Sequence, residues 1–368
     1  MEKDYTYELA LTMLPGVGTA TIRQLLDIAG TAENVFKMSK KELDSLFGKH
    51  KDIVNAIVGK TVFAEVEKEL AFINKNHIGV HFYTDASFPQ RLNRVGCEDA
   101  PVLLYSLGNA DLNAQRAVSI VGTRRATPNG VDLTHRLVTG FNGENITVVS
   151  GLAIGIDTAA HEASLSNSLP TIAVLAHGLD KLYPPQNRNL AKRILANGGM
   201  LLTEMRSGTA LSPRIFPVRN RIIAALSDAT VVVEASSSGG ALITANIAIG
   251  YHRDLFAFPG RVDDKYSAGC NAIIASCKAM LIRNADDLFN NMGWERNVKH
   301  VGTQTTMFPE LAGNEKTVYD VLVNHPEIGT DEIRDLCGLP LPQIATALLS
   351  LELKSLCRCL PGKIYKVN

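Results

Sequence analysis

Seven short runs of β-branched and aliphatic residues, AVSIVG, ITVVSG, TIAVLAHG, MLLTEM, TVVVEA, DLFAFPG and AMLIRN, follow one another through the centre of this chain and constrain its fold more than any other feature. None shows the strict apolar–polar alternation of a strand with one wet face, so each predicts a strand buried on both faces. Segments of helical length separate the runs. Strands and helices that alternate in this way build a parallel sheet covered on both sides. The expected fold class is therefore α/β, a Rossmann-like doubly wound parallel sheet.

On either side the periodicity changes. Between Tyr5 and about Asn76 apolar residues recur at helical spacing, as in Ile22, Leu25, Leu26 and Ala29 or Phe63, Val66, Leu70 and Ile73. This predicts an N-terminal all-α domain over 1–78. Within it Leu14-Pro15-Gly16-Val17-Gly18 joins two helical patterns like a helix-hairpin-helix element of SAM-like type. Such a hairpin is either a plain connector or, where its helix start is exposed, a phosphate contact. The α/β domain is assigned to 79–292, with DASFPQRLNRVGCEDAPVLLYSLG read as a tether into it. Residues 293–312 are polar and aperiodic and read as a linker that carries the single tryptophan, Trp294. Residues 313–368 predict three helices and a hairpin, a winged-helix-like domain. There Thr330 is placed as an N-cap, Gly338 as a helix stop, Ile344, Ala347, Leu348 and Leu351 on one face, and the hairpin turn at Pro361 and Gly362.

Composition narrows the function. Lysine plus arginine number 37 and aspartate plus glutamate 37, so no global basic field draws the chain to nucleic acid, and any anion site is local. The start MEKDYTYELA lacks a basic n-region, and no apolar run is long enough for a membrane span, which predicts a cytoplasmic protein. The six cysteines lack paired CxxC spacing; Cys357 and Cys359 suit packing better than chelation, and no metal or other cofactor is expected. Neither GxSxG nor HExxH occurs, and no segment fits GxGxxG.

The candidate site lies where strands end in glycine or a polar residue ahead of a helix, the edge at which doubly wound sheets bind ligands. Two such ends supply Gly122, Thr123 and Arg124, and Ser150 and Gly151. Glycine and serine permit close backbone approach, and an arginine fork matches phosphate oxygens. FPVRNRIIAALSD places Pro217 in a first turn, at an N1-like position, followed by Arg219, Asn220 and Arg221, so it reads as an anion-binding helix start. VVVEASSSGGALITA puts Glu234 at a strand end and Gly239, Gly240 and Thr244 in or after a small-residue loop, either a second phosphate cradle or close packing. Asp157 and His161, four apart at a helix start, are assigned a structural role, the carboxylate meeting free amides and the histidine bonding the carboxylate. No catalytic residue is assigned.

VGTRRATPNG, SGLAIGIDTAAHEASL, TIAVLAHGLDKLYPPQNRNLAKRI, FPVRNRIIAALSDATVVVEASSSGGALITANIA and FAFPGRVDDKYSAGCNAII, in this order and spacing, resemble the DNA processing protein A family (DprA, also called Smf). The resemblance implies a non-enzymatic protein that binds incoming single-stranded DNA in natural transformation, protects it and loads the RecA recombinase. It also implies a homodimer through the Rossmann-like domain. The implied DNA pocket comprises Gly122, Thr123, Arg124, Ser150, Gly151, Arg219, Asn220 and Arg221. Departures are Thr123 for a frequent serine, His177 for a small residue, EMRSG for a serine-glutamate-proline version, and Pro185 in place of a lysine after Tyr183-Pro184. Lys181 and Arg188 are candidates for that cation. With aromatics at 6%, base stacking is expected to be minor and binding to be dominated by phosphates. The alternative is a phosphoribohydrolase-like nucleotide enzyme on a similar scaffold, whose PGGxGT loop and following glutamate are replaced here by SSSGGALITAN.

Overall fold

The computed structural model describes residues 3–48, 50–94, 96–296, 311, 313–325, 327–354, 356–360 and 362–367. The chain forms two compact units, Met1–Asn297 and Val298–Asn368. The first begins with helices α1 (Thr6–Met13), α2 (Thr19–Ala29), α3 (Ala32–Val35), α4 (Lys40–Phe47), α5 (Lys51–Val58) and α6 (Phe63–Lys75). Their apolar faces bury Leu9, Leu25, Leu43, Ile57 and Val66 against one another. The same cluster takes in Val80 and Phe82 of β1 (Gly79–Phe82) and Leu103 and Tyr105 of β2 (Leu103–Gly108). Helical region and strands thus share one core.

The winding continues as β3 (Arg116–Val121), α7 (Pro128–Thr139), β4 (Ile146–Ser150), α8 (Ile156–Ser166), β5 (Thr171–Val174), α9 (Arg188–Ala196) and β6 (Met200–Thr203). It ends with α10 (Ile215–Ala225), β7 (Ala229–Val232), α11 (Gly240–Gly250), β8 (Asp254–Ala257), α12 (Ala268–Ala275), β9 (Met280–Leu281) and α13 (Ala285–Met292). All seven apolar runs are strands. The sheet order is β1-β2-β6-β5-β4-β3-β7-β8-β9, parallel from β6 to β9, with β2 antiparallel to both β1 and β6. Strand β2 lies in the stretch that the sequence reads as a tether. Val118 of β3 faces Val148 of β4 on one side and Ala229 of β7 on the other.

One face of the sheet buries Val118, Ile120, Val148, Val231 and Phe256 under Leu137, Ala160 and Leu288 from α7, α8 and α13. The opposite face buries Val121, Val149, Ile172 and Val232 under Ile222, Ala245 and Cys270 from α10, α11 and α12. Two wetted faces are absent because both carry helices, which is why the strands read as continuous apolar runs. A buried pair ties the approach to β2 into the sheet: Arg91 grips Asp228 bidentately at 2.8 Å and 2.8 Å, and the Asp228 carboxylate also accepts the Ala117 amide at 3.0 Å. Trp294 packs 6.2 Å from Phe289 with the Arg116 guanidinium 5.4 Å from its ring, so it belongs to this unit rather than to a linker. The rest of the proposed linker, 297–310 and 312, lies outside the described residues, as does Pro361.

The second unit comprises α14 (Asn314–Asn324), β10 (Ile328–Gly329), α15 (Thr330–Cys337), α16 (Leu341–Leu353), β11 (Cys357–Leu360) and β12 (Ile364–Val367), with strand order β10-β12-β11. It is a winged-helix domain. Val318, Leu322, Ile333, Ile344, Ala347, Leu348 and Leu351 form its core. Gly338 takes φ +65° and ends α15, whereas Thr330 is the first residue of that helix and Gly329 its cap. Strand β10 is too short to leave a periodic signature. No single described helix is long and apolar enough to cross a membrane.

Candidate nucleic-acid interface

The parallel strand order reverses direction between β3 and β7, and the chain leaves these neighbours toward opposite sides of the sheet. The resulting crevice beyond their C-terminal ends is the position at which open α/β sheets take ligands. A cleft of about 350 Å³ opens there. Gly122, Thr123 and Arg124 come from the end of β3, Arg219 and Asn220 from α10, and Ser236, Ser238, Gly239, Gly240 and Thr244 from the β7–α11 loop and helix start. Asp157 lies at its floor.

Backbone hydrogen bonds fix the Thr123 turn. Its amide donates to the Glu234 carbonyl at 2.8 Å, and its own carbonyl accepts the Ile156 amide at 3.2 Å. Gly155 makes this possible: at φ +90° a β-carbon on it would stand 2.3 Å from the Thr123 carbonyl oxygen. Arg124 is left exposed at the tip, and among the described residues no carboxylate pairs with it. Its guanidinium stands 5.5 Å from the Phe216 ring, a cation–π distance.

On the other side of Arg124 a smaller hollow of about 110 Å³ is walled by Gly151, Ala153, Ile154, Leu175, Tyr183, Pro184 and Phe216. Tyr183 is 43% exposed, and its ring centroid lies 5.8 Å from that of Phe216. Arg124, Ala153 and Arg219 border both hollows, so together they form one trough with an amide-rich end and an aromatic end.

Beneath the trough charge is buried. Arg219, 5% exposed, donates to the Gly151 carbonyl at 2.7 Å and to the Val174 carbonyl. Burial lowers its pKa to about 10, with Arg124 adding to the shift and Asp157 opposing it. Burial raises the Asp157 pKa against the attraction of Arg219, while its carboxylate accepts the Ala153 amide at 3.3 Å. The trough thus rests on a buried guanidinium and a buried carboxylate that act on one another.

Several residues assigned from the sequence stand elsewhere. Pro217 is the third residue of α10, so Arg219, Asn220 and Arg221 lie in the second turn and contribute side chains rather than free helix amides. The helix start that does open on the cleft is that of α11, capped by Gly239 without any side-chain acceptor. Arg221 turns away to Glu204 at 2.5 Å, and Ser150 is fully buried with its hydroxyl on the Ile120 carbonyl at 2.7 Å. Lys181 donates to the Thr209 carbonyl at 2.7 Å, and Arg188, exposed at the start of α9, lines neither hollow. Gly151 borders the aromatic hollow, and the Thr244 hydroxyl bonds back to the Gly240 carbonyl at 3.1 Å. His161 does not bond Asp157; its Nδ1 pairs with the Thr171 hydroxyl at 2.8 Å.

The sequence reading missed Tyr183, Phe216, Ser236 and Ser238 as lining residues. Phe216 immediately precedes Pro217, and one turn of α10 brings it beside Arg219; that spacing was the available signal. Asn187, buried, was also passed over: it donates to the Leu152 carbonyl at 2.8 Å and to the Thr158 hydroxyl at 2.9 Å, and so holds the strand-end loop at φ +57°.

Comparison with known proteins places the chain in a family. The family model for DNA recombination-mediator protein A matches residues 79–293, and that for the DprA winged helix domain matches residues 308–363. Protein Smf of a Synechocystis species is 30% identical over 397 residues, which covers 99% of this chain and 98% of that protein. The DNA processing protein DprA of Streptococcus pneumoniae is 40% identical over 204 residues, 55% of this chain and 71% of the relative. Its X-ray structure superposes with a TM-score of 0.65 at 32% identity, over 78% of this chain and 98% of that one. The DNA processing protein A of Helicobacter pylori, solved for its single-stranded DNA binding mode, superposes with a TM-score of 0.52 at 28% identity over 58% of this chain and 95% of its own. Matched over more than half its length by the family model and end to end by a relative, this chain belongs to the DNA processing protein A (DprA/Smf) family.

Proposed function

We propose that the trough at the β3–β7 switch point binds single-stranded DNA, and that the chain acts as a sequence-tolerant holder of the strand and not as a catalyst. The observation that carries this is Arg124: exposed at the crevice, paired with no carboxylate among the described residues, and flanked by glycine amides on one side and an aromatic wall on the other. Unpaired guanidinium and free amides suit phosphate oxygens, and aromatic faces suit any base. The few rings of this chain are therefore well placed rather than numerous, and stacking supplements phosphate contact. The Helicobacter pylori relative supports the same ligand.

The carboxylates near the cleft give little support to the nucleotide-hydrolysing alternative. Glu234 accepts from the Thr127 amide and hydroxyl, and Asp157 faces the Ala153 amide and Arg219. From the family resemblance we carry over protection of incoming strands, loading of the RecA recombinase, a homodimer through the Rossmann-like domain, and a cytoplasmic location. Fluorescence anisotropy of a labelled single strand and its duplex, titrated at several salt concentrations, tests the central reading. Preference for the single strand, weakened in Arg124→Ala for every sequence, is the expected result. Equal affinity of wild type and variant would refute it, and release of free base from nucleoside monophosphates would favour the enzyme.

A further inference from the structure

Residues 204–209, the EMRSG run that departs from the family pattern together with Thr209, carry no regular structure yet are held from three sides. Glu69 of α6, 4% exposed, accepts the Ser207 amide at 2.9 Å with one carboxylate oxygen and the Ser207 hydroxyl with the other. One turn earlier Glu65 pairs with Arg206. On the far side the Thr209 carbonyl accepts Lys181 Nζ at 2.7 Å. Gly178 lies flush against the same segment: a β-carbon there would stand 2.4 Å from the Arg206 carbonyl oxygen. His177 then closes the turn, its Nε2 accepting the Tyr183 amide at 3.1 Å.

These contacts run unbroken from a helix of the N-terminal region to the aromatic wall of the trough. We propose that Glu69 is a positioning residue for that wall: through residues 206–209 it braces Lys181 and Gly178, and thereby holds Tyr183 opposite Phe216. This rests on the reading of the trough as a single-stranded DNA site. Tyr183 sits on a connection without regular structure and is partly exposed, so without the brace its ordering would fall to the binding step. Ordering one such side chain and its turn corresponds to roughly a 3- to 10-fold change in affinity. Lys181 thereby becomes a strut and not the phosphate contact that its charge proposes.

The test uses the full chain as wild type, Glu69→Ala, Glu69→Gln, Lys181→Met and Arg124→Ala, titrated by anisotropy against an oligothymidylate and an abasic strand of equal length. Glu69→Ala and Lys181→Met should weaken binding of the thymidylate about 3- to 10-fold and leave the abasic strand at wild-type affinity. Glu69→Gln keeps an acceptor for the Ser207 amide and should stay near wild type. Arg124→Ala should weaken both strands. Unchanged thymidylate binding in Glu69→Ala and Lys181→Met, with Arg124→Ala weakened, overturns the bracing role alone. Equal loss on both strands in Lys181→Met makes it a direct phosphate contact and also overturns the proposal. If Arg124→Ala binds both strands like wild type, the DNA reading itself fails and takes this inference with it. Should Glu69→Ala not fold, Lys181→Met reads the same link from its other end.

Discussion

His161 is buried within reach of the Arg219 charge, and its protonation offers a measurable test of the buried arrangement. The ring is fully buried on α8. The Thr171 hydroxyl donates to the Val148 carbonyl at 2.9 Å, so it accepts from His161 Nδ1–H, which leaves Nε2 bare and, among the described residues, unpartnered. Burial first, and the positive Arg219 second, lower the ring pKa from 6.5 to about 3. The unfolded chain therefore takes up a proton near pH 6.5 that the folded chain refuses until near pH 3. The contribution to stability is complete above pH 6.5 and declines as pH falls, by about 2 kcal/mol at pH 5 at 1.36 kcal/mol per pH unit. Asp157 acts with opposite sign, since its raised pKa lets the folded chain bind its proton before the unfolded chain does. Comparing wild type with His161→Phe at pH 7.5 and pH 5.0 isolates the histidine. Urea unfolding followed by circular dichroism is the assay; with a slope of about 3 kcal/mol per molar, the midpoint of wild type should drop about 0.7 M more than that of the variant. Equal drops in the two proteins would refute a neutral, desolvated His161.

Three further outcomes follow from the site and its frame. Arg124→Ala should lower the salt slope of single-strand binding, in a plot of log affinity against log salt, by about 0.7, the counterion share of one phosphate; an unchanged slope removes Arg124 from the interface. Gly155→Ala forces a β-carbon against the Thr123 carbonyl at a left-handed φ and should cost about 3 kcal/mol or more, read as a lowered Tm together with lost DNA binding. Asp228→Ala strands the buried Arg91 guanidinium and should destabilise by about 3–5 kcal/mol in urea unfolding, with a loss under 1 kcal/mol counting against the pair as a structural tie.

Strands buried on both faces are short in polar residues, so the seven central runs were legible without any structure, and with them the edge at which the site had to lie. Gly122, Arg124 and Gly240 were readable for the same reason, since they follow those strands directly or open the next helix. Strand β2 was not, because LLYSLG follows an irregular stretch and pairs antiparallel with residues nearly a hundred positions away, Tyr105 with Thr203. Arg221 was misplaced by two residues of helix start: once Ile215 opens α10, a position that would have faced the trough turns toward Glu204. Tyr183 and Phe216 are distant in sequence and meet only through the fold, and composition alone therefore understated them.

The sheet also says something about how copies of this chain meet one another in a crowded solution. Nine strands leave two margins where a tenth could be added, and they end in β1, four residues long with none exposed, and β9, two residues long. A margin two residues long offers too few unpaired amides and carbonyls to template a stack, and the other is largely withdrawn from solvent. A protein built on a wide, very apolar sheet thus carries its own brake on strand-by-strand aggregation, supplied by the brevity of its outermost strands.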